Sequence, residues 1–436
     1  MMGATMAARR VLLLGAGDLT DETAEALAAA DAEVRRLEDP DVDSLREALA
    51  AGTDAVAVVS RDDAWPLRAA LLVRHLDADV PIVATIFDPV AGRELEQQIG
   101  NCTITSLADI VAPVLAGPCL DDEIAAVLDG DGLTGVRWDG DGVEEVPLPA
   151  VRARRARATA TAIVQPFDRS AGLVFFGAIG LALILVAETV SAAIVLEQSP
   201  VDAFYGAVKT LVTVDPNPEV QDGPKSYKVV VSVSMIVALV FAAAFTGGLV
   251  ERLVGRNLTG LLGRRAVPRS DHVIVAGLGQ VGLRLCMLLR EAGVAVVAID
   301  DQPDGEHVGL ARQLKLPVVI GRGGDPSLLR RLSVDRARAL AAVTSEDLEN
   351  VRIALVSSGE APGLRIVLRA GSHATGGEVR SLERLGHVRD VHRIAAVYLA
   401  GIALGSGAEH VVVDGDAAHL RAADGALEAC PYPVGG

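Results

Sequence analysis

The chain is poor in cysteine and in positive charge. Its four cysteines, Cys102, Cys119, Cys286 and Cys430, are scattered over 436 residues with no CxxC spacing. That excludes a disulfide-dense scaffold and a cysteine metal site, and it fits a reducing compartment. Lys and Arg number 40 against 57 Asp and Glu, for a formal net charge of −17. Neutralising phosphates takes clustered cations, so no nucleic-acid partner is expected. No His, Lys or Tyr has a recognisable catalytic spacing and the eight histidines form no metal-ligand motif, so neither an enzyme nor a metal centre is expected. The first apolar run, Val11 to Leu14, stops at Gly15. It is too short for a signal peptide and reads as a buried strand.

Apolar residues, by contrast, make up 50% of the chain while charged residues still make up 22%, so the apolar excess must be concentrated. At about 150 residues per domain the length predicts roughly three units. Two stretches, 171–196 and 229–250, reach the length of about 20 apolar residues that a membrane span needs. The second has no charge and the first only Glu188, which could brace a pore or snorkel to external water. Gly247 and Gly248 could form a hinge or permit close helix packing. Arginines crowd before the first span (152, 154, 155, 157 and 169) and after the second (252, 256, 264, 265 and 269), whereas residues 197–228 have none. By the positive-inside rule both termini are cytoplasmic, in a multi-pass protein of the plasma membrane in contact with lipid.

After the second span, His272 to Ala276 reads as a strand running into Gly277-Leu-Gly279-Gln280-Val281-Gly282 and then an apolar helix from Leu283 to Leu289. This GxGxxG lets backbone N–H groups approach a pyrophosphate at a helix N-terminus. A second strand, Val294 to Ile299, ends in Asp300-Asp301, about 20 residues on, where a carboxylate can accept hydrogen bonds from a ribose. A strand from Pro317 to Gly321, the loop Gly323-Gly324-Asp325, a helix from Pro326, and a strand from Ala339 to Thr344 before Ser345-Glu346-Asp347 and Asn350 continue the alternation. The N-terminal region repeats the plan, with Gly15 to Glu38 and Gly277 to Asp300 each spanning 23 positions. An internal duplication follows, in which the first copy carries Thr20 in place of the third glycine and has a degenerate site. Strands are also expected at Ala55 to Val59 and Pro81 to Thr85, and a helix at Leu107 to Leu115. Asp129-Gly-Asp-Gly and Asp139-Gly-Asp-Gly lack EF-hand ligand spacing and read as turns between short strands.

The glycine turn, acidic strand end, GD loop and Thr344 to Asn350 stretch together resemble the RCK family, also called TrkA-N domains, from His272 to about Arg369. That resemblance implies adenine-nucleotide contacts, with NAD(H), ATP or ADP, at Gly277, Gly279, Gln280, Val281, Gly282, Asp300 and Asp301. The loops of Gly324, Asp325 and Thr344 would border the same cleft. Between the spans, an amphipathic stretch from Pro200 leads into Thr210-Leu-Val-Thr213-Val214-Asp215-Pro216-Asn217, which is similar to the pore module of two-span potassium channels. Asp215-Pro216-Asn217 stands where that family has Gly-Tyr-Gly, and proline, with φ fixed and no N–H, does not build the carbonyl cage.

The expected architecture is two Rossmann-like α/β domains of the RCK type flanking a two-helix transmembrane hairpin with a re-entrant pore helix. Its parts are a degenerate domain over 1–120, a linker with a small β segment and basic juxtamembrane stretch over 121–164, and a pore module over 165–256 with its loop at 200–218. A linker over 257–270, the nucleotide-binding RCK domain over 271–405 and a tail over 406–436 complete it. The function expected from the resemblance is a homotetrameric, nucleotide-regulated channel for monovalent cations, not strictly potassium-selective. A non-conducting membrane nucleotide sensor of the same fold is the alternative, and an NAD-dependent oxidoreductase a more distant one.

Overall fold

The computed structural model describes residues 8–129, 132–139, 142–148, 169–212, 220, 223–254, 268, 270–371 and 382–434. It divides into two compact units, one made of Met1–Ala158 with Val267–Gly436 and the other of Thr159–Ala266.

In the first unit the N-terminal half alternates strand and helix: β1 (Arg10–Leu14), α1 (Asp18–Ala29), β2 (Glu33–Leu37), α2 (Val42–Ala50), β3 (Ala55–Val58), α3 (Ala64–Leu76), β4 (Ile82–Thr85), α4 (Pro89–Gln98), β5 (Cys102–Thr105) and α5 (Leu107–Leu120). The strands form one parallel sheet in the order β2-β1-β3-β4-β5. Helices cover both faces, which is why β1 and β3 are nearly continuous apolar runs, with Leu13, Leu14, Val56 and Val58 fully buried. Side chains set the helix starts: Asp41 caps α2, Asp88 caps α4 ahead of Pro89, and Ser106 caps α5. A three-stranded antiparallel sheet follows, β6 (Ile124–Asp129), β7 (Leu133–Trp138) and β8 (Val143–Pro147).

The second unit holds α6 (Arg169–Val195), α7 (Pro200–Leu211) and α8 (Lys225–Val254). Leu173–Val195 and Lys225–Val250 are long and apolar enough to cross a membrane, and only 22% and 11% of their most apolar windows are buried inside the chain. Core helices of a soluble protein would be mostly covered. Phe176, Leu183 and Ile236 are instead about two-thirds exposed. The two long helices run antiparallel in close contact, because Gly177 faces Phe245 and Gly180 faces Phe241; a Cβ on Gly177 would stand 2.8 Å from the Phe245 backbone nitrogen. Close packing therefore belongs to those two glycines, whereas a Cβ on Gly247 would meet nothing within 4 Å. Glu188 is buried, at 4% exposure. Ala192, Ala203, Tyr227 and Val231 form the small apolar cluster that ties α7 to both long helices.

The C-terminal half of the first unit comprises β9 (His272–Ala276), α9 (Gln280–Glu291), β10 (Ala295–Asp300), α10 (Glu306–Gln313), β11 (Val318–Ile320), α11 (Pro326–Arg331), β12 (Ala339–Ala342), α12 (Asp347–Glu360), β13 (Arg365–Ala370), β14 (His387–Asp390), α13 (Val391–Ala403), β15 (Ala408–Asp414), β16 (Ala417–Ala422) and β17 (Leu427–Ala429). Six parallel strands take the order β11-β10-β9-β12-β13-β14. The stretch expected as a tail contains β15, β16 and β17, an antiparallel sheet, and its Tyr432 reaches back to hydrogen-bond Glu22 and Glu25 of α1.

The two halves exchange helices. The α5 helix leaves the first sheet to lie on α9, β12 and β13 of the second, and α13 lies on α1, β3 and β4 of the first. Both helices are apolar nearly all round, since each is covered by two domains. One core cluster consequently runs through both halves, from Leu13 and Leu115 to Leu285 and Leu399. Each of these fully buried leucines contributes about 1.5–3 kcal/mol of burial.

Candidate functional site

The glycine turn sits between the C-terminal ends of β9 and β12, where the strand order reverses, and this is the place at which open α/β sheets form a ligand crevice. Gly277 has φ +101°, and a Cβ there would stand 2.7 Å from the Thr344 nitrogen. A Cβ on Gly282 would stand 1.9 Å from the Gly277 carbonyl oxygen. These two glycines thus let the turn, α9 and the loop after β12 meet backbone to backbone. Gly279 differs, because a Cβ there would meet nothing within 4 Å. It caps α9 without a side chain, and the first-turn N–H groups of a helix have no partner within the helix. The Val281 side chain itself is buried in the core.

Asp300 closes the other wall. Its Oδ2 accepts from the Leu278 N–H (2.8 Å) and its Oδ1 from the Gln302 N–H (2.9 Å). A carboxylate offers about four lone-pair positions, and these two bonds use about two of them. Asp301 is exposed beside it. The GD loop folds back until Gly323 lies against Ala276. Gly324 packs under the Arg352 guanidinium, which is paired with Glu349 at 2.6 and 2.7 Å. Asp325 caps α11, accepting from the Ser327 N–H at 2.8 Å, and these hydrogen bonds hold its carboxyl below the ordinary range.

Thr344 is held by the fully buried Asn350. The Thr344 N–H and Oγ1 donate to Asn350 Oδ1 (2.9 and 2.8 Å), and Asn350 Nδ2 donates to the Thr344 and Arg369 carbonyls (3.1 Å each). The structure therefore gathers Gly277, Gly279, Gln280, Gly282, Asp300 and Thr344 at one sheet end.

In the N-terminal copy Gly15 (φ +133°) repeats the positive φ of Gly277, whereas Gly17 (φ +96°) departs from Gly279 (φ −79°). Thr20, in the third glycine's place, is buried, with its hydroxyl 3.4 Å from the Val59 carbonyl. The first turn of α1 carries Asp18 and Asp21, whereas that of α9 has no acidic residue. Arg61 and Arg36 pair with these two carboxylates.

The sequence carried no signal for what borders the second cleft. Gln280 Nε2 donates to the Arg61 carbonyl (3.5 Å), the Arg61 guanidinium lies 2.7 Å from His392 Nε2, and Phe87 meets the His307 ring edge-on with centroids 5.6 Å apart. These loops of the N-terminal half reach the cleft because the helix exchange brings them there, across more than 200 residues of chain.

In the hairpin unit, Ser199 and Asp202 cap α7 reciprocally: the Asp202 N–H donates to Ser199 Oγ (3.3 Å) and Ser199 Oγ to Asp202 Oδ2 (2.7 Å). The Lys209 ammonium lies 5.8 Å from the Tyr205 ring centroid. Thr210 is buried, its hydroxyl donating to the Gly206 carbonyl (3.2 Å). Thr213, Val214, Asp215, Pro216 and Asn217 lie outside the described residues.

A family model, the TrkA-N domain, matches residues 273–391. The voltage-gated potassium channel Kch of Escherichia coli is 26% identical over 181 residues, 39% of this chain and 42% of that protein. Potassium channel protein 1 of Methanocaldococcus jannaschii is 26% identical over 208 residues, 46% of this chain and 61% of that protein. The chain thus spans less than two thirds of either relative. Among solved structures the GsuK channel superposes with a TM-score of 0.50 at 17% identity, covering 92% of this chain and 65% of that one, a likeness of fold. Residues 273–391 match the TrkA-N domain, and the chain that carries them is similar over part of its length to potassium channel proteins.

Proposed function

We propose that the chain is one subunit of a nucleotide-regulated cation channel. The carrying observation is that a TrkA-N segment with an intact glycine turn shares one chain with two apolar helices of membrane-crossing length, between which stands a short, capped helix. The open Gly279 face and the two remaining acceptor positions of Asp300 suit the pyrophosphate and ribose of an adenine nucleotide. NAD(H), ATP or ADP is favoured over NADP(H), because a carboxylate repels a 2′-phosphate.

One hairpin cannot enclose a pore, so the subunit acts as a homotetramer, with α7 re-entrant from the outer side and both chain ends in the cytoplasm. Nucleotide binding biases gating only to the extent that affinity differs between closed and open assemblies. Asp215-Pro216-Asn217 supplies side-chain oxygens in place of ordered carbonyls, so the pore does not discriminate strictly by ion size. The same sequence feature favours a second reading, a non-conducting sensor.

Flux from proteoliposomes with K⁺ or Na⁺, each with and without NAD(H), ATP and ADP, tests both. Na⁺ should pass about as readily as K⁺, flux should respond to nucleotide, and Asp215→Asn should lower it. Reversal potentials at the K⁺ equilibrium value would overturn the selectivity claim. Absence of flux under every nucleotide condition would establish the sensor instead.

A further inference from the structure

The two halves of the α/β unit correspond position by position in the helices they exchange. Counted from the first glycine of each turn, Glu22 of α1 and Arg284 of α9 are both seven residues on. Ser106 and Asp390 cap α5 and α13, and each accepts from the N–H three residues further, that of Asp109 and that of Arg393. In the packed unit Asp109 pairs with Arg284 where α5 meets α9, and Arg393 pairs with Glu22 (3.4 Å) where α13 meets α1. The pairs are equivalent in place and inverted in sign. The first half presents a carboxylate at both of its positions, and the second half a guanidinium at both.

All four side chains are at most about one-third exposed, Glu22 least at 9%, so solvent screens them weakly. Tyr432 reinforces the second pair, donating to Glu22 and Glu25 and placing its ring 5.9 Å from the Arg393 guanidinium. Since the halves share one fold, a second copy of either half offers the same apolar helix faces to its like. First half on first half would set Glu22 against Asp109, and second on second would set Arg284 against Arg393. We infer that this inverted pair is a specificity device, by which each half accepts the other kind of half and rejects a second copy of itself. Repulsion against the wrong partner, rather than extra attraction to the right one, is what discriminates between two surfaces that are both apolar.

The correspondence also supplies a reporter. Ala24 of α1 stands where Cys286 stands in α9, and in the native pairing Cys119 of α5 and Cys286 of α9 are both fully buried in the one core cluster where those two helices pack. Like-with-like pairing of two first halves would instead bring position 24 of one chain to Cys119 of another. The full chain carrying Ala24→Cys and Cys286→Ala is purified in detergent, mildly oxidised, and examined for a chain-to-chain 24–119 disulfide by peptide mapping.

Adding Glu22→Arg makes the first half self-complementary and should raise that disulfide about tenfold, while Glu22→Ala should raise it little. Adding Arg393→Glu to Glu22→Arg should return it to the starting level. Asp109→Arg, rescued by Arg284→Glu, is the independent second route should the first variant fold poorly. Equal cross-linking in the Ala and Arg variants, persistence after rescue, or no increase by either route would overturn the inference.

Discussion

Asp300 ties the glycine turn to the end of β10, since it accepts from the Leu278 and Gln302 N–H groups, and in the proposed site its remaining acceptor positions meet the nucleotide. Asp300→Ala should weaken adenine-nucleotide binding by about 1.5–3 kcal/mol, the range for a hydrogen bond to a charged group. Unchanged affinity by calorimetry would move the site elsewhere. Two other buried groups contribute to the acid response in opposite directions. Burial pushes Asp390 up from 3.8 to about 6, so between those values the folded chain keeps a proton that the unfolded chain has lost, and stability falls as pH rises. Burial pushes His272 down from 6.5 to about 4, so there the unfolded chain holds the extra proton and stability rises with pH. The windows nearly coincide and the effects offset. Asp390→Asn keeps the helix cap but removes the carboxyl titration, so the variant should lose stability more steeply than the parent on acidification from pH 6.5 to 4, by on the order of 2–3 kcal/mol across the window. Parallel melting curves for the two proteins would show that the compensation is absent.

At the scale of an element, the three glycines of the turn do separable work. Gly282→Ala drives a Cβ toward the Gly277 carbonyl and should cost about 1–3 kcal/mol of stability through backbone displacement, with loss of nucleotide binding. Gly279 has φ −79° and open space around it. Gly279→Ala should therefore leave the melting temperature unchanged or slightly raised while still lowering affinity, because the new methyl faces the pyrophosphate. Thermal unfolding measured beside calorimetry separates the two, and equal destabilisation by both variants would contradict this division. The strand–glycine–helix order of β9 and α9 is legible in the sequence because both the apolar run and the φ requirement are local. The burial of Gly324 under Arg352 is not, since it depends on where α12 comes to rest.

For the whole molecule, the proposed hairpin topology rests on arginine asymmetry, with arginines flanking the two spans and none over residues 197–228. The β15–β16 turn and the end of α6 offer exposed test positions in Asp416 and Glu197. Asp416→Cys should react with an impermeant maleimide only in inverted vesicles, and Glu197→Cys only in intact cells. Labelling of both from one side would refute the hairpin topology.

Local pattern determined a good deal of this protein by itself: the apolar strands β1, β3, β9 and β10, the two glycine turns 262 positions apart, the two long apolar helices and the α7 cap all follow from runs, spacings and turn chemistry within a few residues. The tertiary structure alone decided that the two α/β halves are one unit. Nothing in α5 or α13 distinguishes a helix that covers its own sheet from one that covers its neighbour's, because both present the same apolar faces. It alone showed that Arg61 and Phe87 border a cleft built more than 200 residues away, that residues 408–429 form a sheet, and that Glu188 is buried. The physical reason is the same throughout: hydrophobic burial is non-directional and says that a face must be covered, while only the assembled chain settles which surface covers it.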